Sequence, residues 1–172
     1  MISNCHHLQV ILFVYSDRDI FMQLTLVRHG EAIPAIFGND EKRPLTPRGH
    51  IQAEETADYL KNIIKPEVFV VSPLLRAQET LAHLQKHFQD VPVVICNTIK
   101  PEDDAKVAVE WLSQLPYESI AVVCHMNVIA YISSILTSDS FQPFSLAEAR
   151  IYDQAVIAAG LSTQLKAFIP QS

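Results

Sequence analysis

The sequence predicts an α/β domain: a three-layer αβα sandwich with a mostly parallel sheet and a C-terminal hairpin. Three features of the chain point there. Short apolar runs rich in β-branched residues alternate with segments whose apolar residues recur at helical spacing, the pattern of βαβ units. At 172 residues there is room for one such domain, and a chain of that length buries about 70% of its unfolded surface, enough for a core without staples. The last two strand-like runs lie on either side of Gly160, which suits a hairpin.

The elements follow in order. Gln23–Arg28 alternates polar and apolar residues and reads as a strand ending in Arg28-His29-Gly30-Glu31. A polar loop runs to Leu45. Thr46-Pro47 opens a helix, with Thr as cap and Pro in the first turn. Ile51, Ala53, Ala57, Leu60 and Ile64 then mark its apolar face up to Pro66. Val68–Val71 is a short buried strand, and Ser72 is placed to cap the next helix, lined by Leu74, Leu75, Ala77, Leu81 and Leu84. Val91–Ile95 reads as another buried strand. A helix is expected from Pro101, with Glu102, Asp103 and Asp104 set against its positive end and Val107, Val109, Trp111 and Leu112 as its apolar residues. Ile120–Val123 is a strand ending in Cys124-His125, and Val128–Leu136 an apolar helix. Ala149–Ala158 and Thr163–Ile169 form the hairpin.

Composition excludes several classes. Hydrophobic residues are 49% and charged residues 19%, so the chain is not disordered. Only four glycines occur, where ordinary usage of about 7% would give about twelve. Neither G-x-G-x-x-G nor G-x-x-x-x-G-K-[ST] can be written with them, so a Gly-rich phosphate loop is ruled out. A net charge of −6 argues against nucleic acid as a partner. Cys5, Cys96 and Cys124 are widely spaced, form no C-x-x-C pair and suit a reducing cytosol. The apolar run Leu8–Tyr15 is too short to span a bilayer and lacks the flanks of a signal peptide. Residues 1–21 are expected to be an extension separate from a domain over residues 22–172, and Met22, opening the first strand, is a natural alternative start. His6 and His7 read as incidental.

Ligands of open α/β sheets bind outside the carboxyl ends of the strands. Three expected strands carry polar chemistry there: Arg28-His29 after the first, Arg76 in Ser72-Pro73-Leu74-Leu75-Arg76 after the second, and His125 after the strand ending in Cys124. Singly, each has a plain structural reading as a cap, a packing residue or a surface charge. Together they are an oxyanion site, because clustered cationic groups need a reason and a bound dianion supplies one. Cys124 reads as core rather than as a nucleophile. His50, His83 and His87 lie on helices; His83 and His87 have the i,i+4 spacing of zinc ligands but no third ligand, so no metal site is expected.

The run Leu26-Val27-Arg28-His29-Gly30-Glu31 resembles the RHG signature of the histidine phosphatase superfamily, with its phosphoglycerate mutase-like fold. The resemblance continues through Arg43-Pro44-Leu45-Thr46-Pro47-Arg48-Gly49, Ser72-Pro73-Leu74-Leu75-Arg76-Ala77-Gln78-Glu79-Thr80 and Cys124-His125, over about Met22 to Pro170. Within the superfamily the chain is most similar to small bacterial phosphohistidine phosphatases of the SixA type. It departs from the usual second-histidine motif at Cys124 and Asn127.

The resemblance implies a metal-independent, cofactor-free phosphatase in the cytoplasm. His29 would be the nucleophile that carries a transient phosphoryl group, and Arg28, Arg76 and His125 would clamp its oxygens. Glu102, with Asp103 and Asp104 behind it, is the candidate proton donor, although all three read more plainly as helix-start acids, and Arg43 is a candidate for substrate entry or, equally, a surface loop charge. The substrate implied is a phosphohistidine on a signalling or phosphotransfer protein, such as a phosphorelay (HPt-like) domain, acted on by a monomer. The same chemistry on a small phosphomonoester is one alternative, and a non-catalytic phosphate-binding module is another.

Overall fold

The computed structural model describes residues 21–35 and 38–172. The expectations for the extension, including His6, His7, Cys5 and the apolar run, lie outside the described residues.

Ten elements follow in the expected alternation: β1 (Met22–Arg28), α1 (Pro47–Leu60), β2 (Val68–Val71), α2 (Leu75–Gln85), β3 (Val93–Ile95), α3 (Ala105–Ser113), β4 (Ser119–Cys124), α4 (Val128–Thr137), β5 (Ala149–Gln154) and β6 (Thr163–Phe168). The six strands form one sheet in the order β3-β2-β4-β1-β5-β6. Pairings among β1 to β4 are parallel, whereas β5 runs antiparallel to β1 and to β6, so the chain ends in a hairpin.

The period of two along each strand divides the core. Leu24 and Leu26, Val68 and Val70, and Ile120 and Val122 face one side, where Ala108, Leu112, Ile129 and Ile132 of α3 and α4 cover them. Val27, Phe69, Val71, Ala121 and Val123 face the other, under Ala57, Leu60, Ala77, Leu81 and Leu84 of α1 and α2. This is the three-layer αβα sandwich that the alternating pattern predicts.

Several local expectations are corrected. β3 is an edge strand rather than a buried one, with Val93 39% and Ile95 56% exposed, because nothing pairs with its outer side. α1 ends at Leu60, with Ile63 and Ile64 in a following turn, and Ile51 is exposed. Its buried face is Gly49, Gln52, Ala53, Thr56, Ala57 and Leu60, a stripe of small and polar residues that hydropathy does not mark. α3 starts at Ala105, not Pro101: Asp104 caps it by accepting from the Lys106 amide at 2.9 Å, and Val107 points outward. Ser72 does not cap α2; Leu74 holds that position without a side-chain bond. β5 stops at Gln154, short of Ala158.

Candidate active site

Register brings the site together. β1 and β4 are parallel neighbours with Arg28 opposite Cys124, and β2 lies on the far side of β4 with Val71 opposite Val123. The residues that follow, His29, His125 and Ser72, therefore emerge side by side at the carboxyl edge. The His29 amide donates to the Cys124 carbonyl (3.0 Å) and the Ser72 amide to the Val123 carbonyl (3.1 Å), which extends the sheet pairing into the site. The two imidazole rings lie 5.0 Å apart between centroids. Arg76, in the first turn of α2, is buried and reaches His29, its Nε donating to His29 Nε2 at 3.2 Å.

His29 Nδ1 lies 2.6 Å from the Gly30 carbonyl, which can only accept, so Nδ1 carries the proton and Nε2 keeps its lone pair. Burial, before any charge, lowers the His29 pKa to about 3, against the opposing Gly30 bond, with Arg76, Arg28 and Arg43 adding to the fall. Burial likewise takes His125 down to about 2, with His29 and the same arginines contributing. His125 Nε2 sits 2.7 Å from the Ser72 hydroxyl. That hydroxyl oxygen also receives the Leu74 amide at 3.4 Å, which leaves it both a hydrogen and a lone pair to offer His125. When the hydroxyl donates, His125 Nδ1 carries the ring hydrogen; that nitrogen is buried without a partner.

Arg28 donates from Nη1 to the Phe144 carbonyl (2.5 Å), while its Nε is buried and unpartnered. The support for Phe144 is a second buried cluster. Arg150 lies 3.8 Å over its ring and pairs with Glu148 at 2.6 Å. Two nitrogens, Arg28 Nε and His125 Nδ1, are thus buried without a partner near the His29 ring. That arrangement can receive an oxyanion and present a nucleophile to its central atom.

The cleft over these groups has a volume of about 640 Å³ and is lined in part by Arg28, His29, Asp40, Arg43, Arg76 and Glu102. The two lesser candidates of the sequence thus reach the cleft. Arg43 donates to the Ile33 carbonyl (2.6 Å) and to Asp40 (2.9 Å), while Asp103 is occupied by the Lys100 amide at 2.6 Å. Cys124 is fully buried, and burial pushes its thiol up to about 12, consistent with a core residue. His50 and His83 pair at 3.1 Å across α1 and α2, and His87 meets Asp58, away from the cleft. No group of three or more His, Cys, Asp or Glu residues among the described ones could hold a metal ion.

Four neighbours of the site have no site role assigned from the sequence, although Ser72, Glu79 and Thr80 stand within the Ser72–Thr80 motif run. Asp40 accepts from Arg76 Nη2 at 3.0 Å and from Arg43, and its carboxyl is held below the ordinary range by Arg43 and then Arg76. Ser72 positions His125. Glu79 accepts from the Leu45 amide at 2.6 Å, and Thr80 accepts from the Gly30 amide at 3.1 Å. Arg76, Glu79 and Thr80 fall at i, i+3 and i+4, one face of α2, and helical spacing was the available signal.

Residues 24–100 match the family model described as "Histidine phosphatase superfamily (branch 1)". Nothing among curated proteins matches the chain. Among solved structures, the protein histidine phosphatase SixA complexed with tungstate superposes with a TM-score of 0.77 at 24% identity, over 87% of this chain and 97% of that one. A candidate phosphohistidine phosphatase SixA from Agrobacterium tumefaciens gives 0.77 at 18%, over 87% and 98%. A mycobacterial glucosyl-3-phosphoglycerate phosphatase gives 0.66 at 15%, over 84% and 97%. These likenesses establish the phosphoglycerate mutase-like fold. Among the described residues, no helix is long and apolar enough to cross a membrane.

Proposed function

We propose that this chain is a member of the histidine phosphatase superfamily and hydrolyses protein phosphohistidine through a phospho-His29 intermediate. The observation that carries this reading is the His29 ring itself. It is neutral, its Nδ1 hydrogen is committed to Gly30, and its Nε2 lone pair, which accepts from Arg76 Nε, lies at a cleft lined by His29, Arg28 and Arg76, with the His125 ring buried behind. Nε2 attacks phosphorus, the P–N bond to the substrate imidazole breaks, and that imidazole, protonated at its other ring nitrogen, leaves as a neutral group. Water then attacks phospho-His29, releasing phosphate and restoring the lone pair. Phosphoryl transfer of this kind depends on positioning and on charge stabilisation of the oxygens, which fixed arginines supply.

The choice of phosphohistidine rests on the leaving group. An alkoxide needs a proton donor, and the only candidate from the sequence, Glu102, stands on the cleft lining with no recorded bond to the His29 group. An imidazole already protonated at its other nitrogen needs none. The SixA structures that share the fold are named for the same substrate class. A phosphomonoester is the second reading, favoured by Glu102 on the cleft. One preparation assayed against a phosphohistidine-bearing phosphotransfer domain and a panel of phosphate esters separates the two. The expected result is a higher kcat/KM on phosphohistidine, together with loss of turnover and of phosphoenzyme trapping in His29→Ala. A higher kcat/KM on an ester selects the second reading. Undiminished hydrolysis by His29→Ala removes His29 as nucleophile.

A further inference from the structure

Arg76 differs from Arg28 in that each of its three nitrogens already has a partner. Its Nε is on His29 Nε2, its Nη1 on the Asp40 carbonyl (2.8 Å), and its Nη2 on the Asp40 carboxylate (3.0 Å). The second Asp40 oxygen holds Arg43 at 2.9 Å. Arg76 is sealed, its side chain 3% exposed, whereas that of Asp40 is 47% exposed and faces the cleft. An oxyanion arriving at Arg28 Nε and His125 Nδ1 therefore meets an arginine already bound to an anion.

We propose that Asp40 is a specificity-determining residue: its carboxylate is a resident anion on Arg76 that an incoming phosphoryl group must displace. The inference rests on the anion site described above. A phosphoryl group has several oxygens and makes contacts at Arg28, His125 and Arg76 at once, so a substrate with further contacts beyond the phosphoryl group overcomes the competition. Free inorganic phosphate has only those contacts, and the resident carboxylate keeps its affinity low. The released product is thereby prevented from occupying the cleft.

The test is calorimetric titration of the whole chain with inorganic phosphate, alongside phosphate inhibition of turnover. Asp40→Asn keeps the size of the side chain and the backbone acceptor for Nη1 while removing the charge, and Asp40→Ala removes both side-chain contacts. Both are expected to bind phosphate about fivefold or more tighter, the scale of one charge-assisted contact freed from competition. Glu41→Gln, the neighbouring acid on the same cleft with no bond to Arg76, is expected to change binding less than about twofold, as a distant screened charge does. Arg76→Ala is expected to weaken it. Unchanged or weaker phosphate binding in both Asp40 variants, or an equal gain in Glu41→Gln, overturns the displacement. If Arg76→Ala binds phosphate as well as the wild type, the anion site itself is wrong, a separate failure.

Discussion

At the scale of single residues, the chemistry depends on where two imidazole protons sit. The Gly30 carbonyl settles it for His29, and for His125 the Ser72 hydroxyl is the partner that bears on it. Neither partner is a charged group, so each ring is oriented without being protonated, and burial among arginines opposes protonation further. Ser72 is thus a positioning residue. In Ser72→Ala the His125 Nε2 loses its hydrogen-bond partner, and the balance between the two ring tautomers shifts. We expect kcat to fall about tenfold, the value of one net hydrogen bond, with KM changed less. Nitrogen NMR of His125 should show a changed tautomer ratio. An unaltered tautomer would dismiss Ser72 from this role.

Between elements, the site depends on two backbones touching. A Cβ at Gly30 would collide with the Gly49 carbonyl, and one at Gly49 with the Glu31 carbonyl, so the loop after β1 lies directly against the first turn of α1. Thr46 adds to this junction. It caps α1 by accepting from the Gly49 amide at 3.0 Å, while its own amide donates to the Glu31 carbonyl at 2.9 Å. Both glycines are required by close approach and neither by a left-handed backbone. Gly49→Ala forces the helix start away from the His29 loop. The expected cost is about 1–3 kcal/mol, which for a domain of this size lowers Tm by several degrees, at roughly 2–4 °C per kcal/mol. Thermal unfolding checks it, and an unchanged Tm would show that the junction yields freely.

Over the whole molecule, a cleft built of buried neutral histidines and arginines costs acid stability. The unfolded chain binds protons on His29 and His125 below pH 6.5, whereas the folded chain refuses them until about pH 3 and 2. Stability contributed by the neutral rings is complete above pH 6.5 and is lost as pH falls through that window. The slope approaches about 1.4 kcal/mol per pH unit for each histidine. Urea unfolding at pH 7, 6, 5 and 4.5 should show a shallower loss in His29→Ala than in the wild type, by about one histidine's share. Parallel pH profiles for the two proteins would contradict the buried neutral state.

What the chain determined by itself was periodic and local. Alternation at two and at 3.6 residues marked the layers, and the Arg28-His29, Arg76 and His125 motifs marked strand ends, where an α/β sheet collects its ligands. Apolar period reports burial only where side chains are large, so the small and polar inner face of α1 and the exposed edge strand Val93–Ile95 were misread. The partners of the site residues were decided by tertiary structure. Which loop lies over Arg76, which hydroxyl meets His125 and which backbone meets Gly30 are contacts between segments dozens of residues apart. Strand order and register set those distances, and no local pattern encodes them.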